Sequence, residues 1–155
     1  MTATPPATPP AYPPIVELVP HRPPMLLLDR VLSYDGECVI CETVLEPSSP
    51  FVDDGEVPAV VGIEYMAQTI AAGAGLSARD KGEAKARMGF LLGCRTLTIA
   101  VDSFQVGDRL TIEARRTWGE HEIGSFACKV QRGGQVVVEG ALTVYQGPLP
   151  AEISR

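Results

Sequence analysis

Residues 56–75, "EVPAVVGIEYMAQTIAAGAG", are a long run of mostly apolar and small residues with one carboxylate, Glu64, in its interior. The run approaches the roughly 20 residues that span a bilayer. Against a span stand Glu64 and Gln68 at its centre and the lack of basic anchors on its N-terminal flank. The rest of the chain reads as amphipathic strands, which need a helix to cover their apolar face. A buried core helix is therefore predicted, from about Pro58, a favourable first-turn residue, to about Arg79. Carboxylates are seldom buried without a partner or a task, so Glu64 demands an explanation.

The flanking segments supply the strands. "IVELVP" reads as a helical turn stopped by Pro20, and "HRPP" as a rigid loop. "MLLLDRVLSYDGECVICETVL" reads as two strands joined at Asp35-Gly36, a hairpin signal. Residues 46–56 are rich in turn formers and are expected as loop. Beyond a polar connection, "ARDKGEAKA", four β segments follow: 86–101, with a bulge or bend at Gly93; "DRLTIEARRTWG"; "HEIGSFACKVQRGG"; and "QVVVEGALTVYQ". The last two are joined at Gly133-Gly134. Two strands, one long apolar helix and four antiparallel strands make an α+β domain in which a curved sheet wraps the helix. A single domain over 15–146 is expected, without internal repeats. A Pro-rich solvated tail should run to residue 14 and a fraying end from 147 to 155.

Composition narrows the function. Apolar residues are 45% and charged residues 21%, a globular balance. The net charge of −6 argues against binding nucleic acid through phosphate neutralisation. Cys38 and Cys41 form a C-x-x-C, but within a strand that spacing sends the two sulfurs to opposite faces. With no second such pair and two histidines in the chain, no metal and no cofactor are expected. The N-terminus has neither a basic region nor an apolar core for secretion, and the expected location is a reducing cytoplasm.

Three segments resemble one family. "LVPHRPPMLLLDRV" is similar to the opening L-P-H-R-Y-P-F-L-L-V-D-R-V of the hotdog-fold 3-hydroxyacyl-[acyl-carrier-protein] dehydratases. "PAVVGIEYMAQ" resembles their helix start, P-G-V-L-x-I-E-A-x-A-Q, and "FQVGDRLTIEARR" their V-x-P-G-D-x-L strand entry. The likeness covers about residues 15–146. It implies a hotdog fold, a dimer with a tunnel between subunits, and a catalytic carboxylate at Glu64. The family's loop histidine, in H-F-P-G-x-P, falls on Pro50, and the glycine whose N–H holds the thioester carbonyl falls on Ala59. Loss of that histidine with the other motifs kept looks most like the dehydratase-like proteins of aryl-polyene biosynthesis.

Two roles fit Glu64. It is a general acid/base for an acyl thioester, its pKa raised by burial, with Ala59 and Gln68 binding the substrate oxyanion. Alternatively it is a buried carboxylate bonded to Gln68 one turn on. His21, in the rigid "PHRPP" loop, is the candidate replacement base, or else a loop residue that packs. In the catalytic case His21 should face Glu64 across a cavity two or three carbon atoms wide, with an apolar tunnel beyond. His121, among charges, is expected to be solvated. Arg22, Arg30, Arg87 and Arg95 offer a weak basic patch for an acidic carrier protein, Arg22 and Arg95 foremost.

The reading that leads is a 3-hydroxyacyl-thioester dehydratase of fatty-acid or aryl-polyene type, a lyase. Its substrate would ride on the phosphopantetheine of an acyl carrier protein. It would work as a homodimer, a heterodimer with a related dehydratase, or a higher oligomer. A non-catalytic partner subunit and a hotdog acyl thioesterase stay open beside it.

Overall fold

The computed structural model describes residues 11–83 and 88–147. A short helix α1 (Ile15–Leu18) leads to the hairpin β1 (Arg30–Tyr34) and β2 (Cys38–Val44). A three-residue strand β3 (Glu56–Pro58) and a 3₁₀ turn (Ala59–Val61) then feed the long helix α2 (Gly62–Asp80). The chain continues with β4 (Met88–Ile99), β5 (Ser103–Gln105), β6 (Arg109–Glu120), β7 (Ile123–Arg132) and β8 (Gln135–Gly147). Six strands form one antiparallel sheet in the order β1-β2-β6-β7-β8-β4, while β3 and β5 pair separately. One long helix held in the hollow of an antiparallel sheet is the α+β hotdog arrangement expected from the sequence.

Alternation builds the hollow. Leu110, Ile112 and Ala114 of β6, Phe126, Cys128 and Val130 of β7, and Val138, Leu142 and Val144 of β8 are buried, each two residues from the next or spaced by a bulge or glycine. Against them α2 buries Tyr65, Met66, Ile70, Ala72 and Leu76. Small residues bring the helix close. A Cβ on Gly73 would stand 3.0 Å from Val39 Cγ1, and one on Gly75 would collide with the backbone of Leu18 in α1. By length and hydropathy the segment Ala59–Asp80 passes as a membrane span, but more than half of it is buried within the protein. It is the core helix.

Local chemistry sets the boundaries. At the β1–β2 turn Asp35 Oδ1 accepts the N–H groups of Glu37 and Cys38 at 2.9 and 2.7 Å, and Gly36 takes φ +96°. These two bonds lower the Asp35 pKa. Gly133 and Gly134 both have positive φ, as a two-residue hairpin loop requires. Helix α2 ends with Gly82 at φ +72°, its N–H on Arg79 C=O and that of Glu83 on Ala78 C=O, a paired C-terminal closure. The irregularity expected at Gly93 is a register shift between Leu91 and Gly93. Cys41 faces the helix beside Thr69 while Cys38 lies near Glu113 on the other face, so the two thiols diverge as their spacing requires.

Three details differ from the sequence reading. Residues 46–56 were expected wholly as loop, but Glu56 opens β3, and Val57 pairs with Phe104 of β5, both fully buried. The expected tail has a docked end: Tyr12 packs on the core, and its hydroxyl accepts the Tyr34 N–H at 3.0 Å. Residues 1–10, and 148–155 of the expected fraying end, lie outside the described residues.

Candidate active site

Glu64 occupies the first turn of α2, where the N-terminal end of the helix dipole favours a carboxylate. One turn on, Gln68 is fully buried and all its polar atoms are engaged. Its Oε1 accepts the Leu27 N–H at 2.9 Å, and its Nε2 donates to Met25 C=O at 2.7 Å and to Glu64 Oε1 at 2.9 Å. The two backbone contacts fix which way the amide points, because only its oxygen can accept from Leu27. Gln68 therefore staples the loop before β1 to the helix and presents an N–H to Glu64.

His21 arrives on that same loop. Its Nε2 stands 3.5 Å from Glu64 Oε1, within ion-pair reach but too long for a full hydrogen bond. Its Nδ1 is buried with no partner among the described residues. A proton there would lack an acceptor, so the neutral ring carries its proton on Nε2, toward Glu64. Arg22 holds the loop in place: its Nη1 lies 3.1, 3.0 and 2.8 Å from the carbonyls of Val16, Val19 and His21. Both neighbours of Glu64 approach the same oxygen, and among the described residues Oε2 has no hydrogen-bond partner.

The structure thus brings Glu64, Gln68 and His21 together and revises the other expectations. Glu64 is 38% exposed along its side chain rather than buried. His21 is beside it, not across a cavity, and no substrate carbon fits between them. Gln68 spends its donors on Met25 and Glu64 instead of a substrate oxyanion. The Ala59 N–H is also committed, to Asp102 C=O at 3.0 Å, so it is not a free oxyanion donor in this chain. Arg22 serves its own loop. Arg95 is exposed on β4, at the opposite edge of the sheet from β1, to which the Arg22 loop leads. Arg30 shares Glu42 with Arg109, and Arg87 lies outside the described residues. His121 is solvated, as expected, at 84% side-chain exposure.

Two cavities flank α2. The larger, about 220 Å³, opens near its C-terminal half between Ile70, Gly73, Ser77, Tyr34 and the β6–β7 turn. The smaller, about 110 Å³, lies against Tyr65, Pro50, Ser49, Asp29, Leu26 and Leu27. Neither touches Glu64 or His21, so neither is the tunnel expected beyond Glu64. Sequence reasoning did not single out Tyr65. The signal was its place in "IEYMAQ", where the resembled motif carries alanine.

Comparison with known proteins agrees with this architecture. Residues 13–154 match the family model described as ApeP-like, ApeP dehydratase. The 3-hydroxyacyl-[acyl-carrier-protein] dehydratase FabZ of Agrobacterium fabrum is 33% identical over 144 residues, spanning 86% of this chain and 89% of its own length. A chain of the dehydratase heterocomplex ApeI:P from Xenorhabdus doucetiae superposes with a TM-score of 0.87 at 32% identity, covering 93% of this chain and 97% of that one. A hypothetical thioesterase from Streptococcus pneumoniae, solved with coenzyme A, has a TM-score of 0.59 at 13% identity over 77% of this chain and 85% of its own, a likeness of fold alone. By its sequence motifs, its helix-in-sheet architecture and these matches, the chain belongs to the ApeP-like dehydratase family.

Proposed function

We propose that this protein is a 3-hydroxyacyl-thioester dehydratase in which Glu64 takes the C2 proton of a substrate carried on the phosphopantetheine of an acyl carrier protein and returns it to the C3 hydroxyl, which leaves as water as the C3–O bond breaks and the C2–C3 double bond forms. The observation that carries the reading is the anchored carboxylate: Glu64 Oε1 is held by Gln68 at the start of the helix, while Oε2 has no hydrogen-bond partner among the described residues. A base needs one oxygen fixed and one free. The setting is a cytoplasmic biosynthetic pathway of fatty-acid or aryl-polyene type.

The working unit is a pair of chains. Strand β4 bonds to β8 along one side and is the edge of the sheet on the other. It exposes Phe90, Leu91, Leu92 and Ile99, an apolar edge that a second hotdog chain, identical or related, would cover. The position equivalent to the family's loop histidine holds Pro50, which favours a related dehydratase as that second chain.

The test is mass spectrometry of 3-hydroxyacyl carrier substrates incubated with the chain, alone and with a related dehydratase subunit. Loss of water supports the reading, and Glu64→Gln should lower turnover by about 10²–10⁴-fold while the fold persists. Release of free thiol without dehydration would identify a thioesterase instead. Undiminished turnover in Glu64→Gln would remove the carboxylate from the reaction.

A further inference from the structure

The loop that delivers His21 to Glu64 is held differently at its two ends. Downstream, Met25 C=O and Leu27 N–H grip the Gln68 amide, and Arg22 C=O accepts the N–H groups of Met25 and Leu26 at 2.9 and 3.2 Å. All of these bonds use loop backbone, so a change in the Arg22 side chain leaves them in place. Upstream, the His21 backbone has a single tie. Its C=O accepts from Arg22 Nη1 at 2.8 Å, and it makes no other backbone hydrogen bond among the described residues.

The same Nη1 reaches the carbonyls of Val16 and Val19 at 3.1 and 3.0 Å. These lie in α1 and at its C-cap, where a helix leaves carbonyls without an internal partner. That helix is seated in the core: Leu18 is 1% exposed, and its backbone lies against Gly75 of α2. One guanidinium nitrogen thus references the His21 carbonyl to a fixed point, and the His21 ring stands 3.5 Å from Glu64 Oε1. Capping α1 accounts for two of the three bonds. It does not account for the third, which is the shortest. Arg22 is exposed, so water can satisfy the same carbonyls, but water does not hold three of them in register.

We propose that Arg22 is a positioning residue of this site, its side chain setting where the His21 ring meets Glu64. The inference rests on the dehydratase reading for the reaction that this geometry serves. Because one nitrogen makes all three contacts, an ammonium with three N–H donors can stand in for it. An apolar side chain of similar length cannot.

Arg22→Met and Arg22→Lys test this in the full chain, with turnover measured alone and beside the related subunit. Arg22→Met should lower kcat about tenfold with KM little changed, the loss expected for His21→Ala, and Arg22→Lys should recover most of it. In a His21→Ala background Arg22→Met should change kcat by less than about twofold, since the contact it serves is gone. The chain has two histidines, so nuclear Overhauser contacts between the His21 ring and the Glu64 side chain are readable without activity. They should be present in wild type and Arg22→Lys and absent from a folded Arg22→Met. Contacts missing from wild type, or kept in Arg22→Met, overturn the proposal. So do a tenfold loss that persists in the His21→Ala background and a lysine variant as impaired as the methionine one. An Arg22→Met chain that does not fold also overturns it, by making the arginine a residue of the fold. If the contacts behave as expected while no preparation dehydrates a 3-hydroxyacyl carrier, the positioning of His21 stands and the dehydratase reading falls.

Discussion

Gln68 donates to Glu64 Oε1 at 2.9 Å with an amide whose direction is dictated from the other side of the molecule, by Leu27 N–H and Met25 C=O. The carboxylate is thus indexed to the backbone of the loop before β1. Gln68→Leu keeps the volume but leaves the Leu27 N–H unpaired in a buried place. Stability should fall by about 1–3 kcal/mol in urea titration. Turnover should fall by more than the unfolded fraction accounts for, since Glu64 loses its fixed donor. An unchanged midpoint would show that the loop is anchored by other contacts.

His21 is expected to act through Glu64 rather than on substrate, because its ring touches the carboxylate and its Nδ1 is shut in. His21→Ala should reduce kcat about tenfold, the value of one such contact, with KM little changed. His21→Gln, which restores an N–H donor, should recover much of the loss. A loss in His21→Ala as large as in Glu64→Gln would restore the histidine to the chemistry itself.

Alkali should unfold this protein in a particular way. Burial raises the thiols of Cys41 and Cys128 from 9.0 to about 12 and the Tyr65 phenol from 10.0 to about 12. In the unfolded chain these groups ionise near their ordinary values, so it releases protons first as pH climbs. The stabilisation is complete below about pH 9 and is lost on the way to about pH 12. At about pH 10.5 each thiol accounts for a loss of about 2 kcal/mol. Urea midpoints measured from neutral to alkaline pH should decline, and Cys41→Ala, whatever its stability at neutral pH, should decline less steeply.

The β4 edge is tested with Leu92→Asp. Leu92 is 57% exposed in the single chain, so a charge there costs the protomer little. In the proposed pair it would be buried against apolar groups. Sedimentation should show the wild type as a dimer, or as a complex with its related subunit, and the variant as a folded monomer. A variant that still pairs would move the interface off β4.

Much of this structure could be read locally. The hairpins follow from Asp35-Gly36 and Gly133-Gly134, and the core helix from the small, apolar run around Glu64. Gln68, one turn on, was already the natural partner of Glu64. What escaped depends on contacts between distant segments. The Ala59 N–H is taken by a carbonyl at residue 102, and Tyr12 is docked by the backbone of Tyr34. The placement of His21 beside Glu64 depends on how the loop closes under Arg22.

The one-sided grip on Glu64 has a stereochemical consequence. With Oε1 tied to Gln68 and flanked by His21, Oε2 is the oxygen without a partner among the described residues, and its direction is set by α2 and the loop together. In the proposed reaction the two hydrogens on C2 of a bound thioester are then inequivalent to the enzyme. A substrate carrying deuterium at one prochiral C2 position should lose its label completely, and its mirror-labelled counterpart should keep it in the enoyl product.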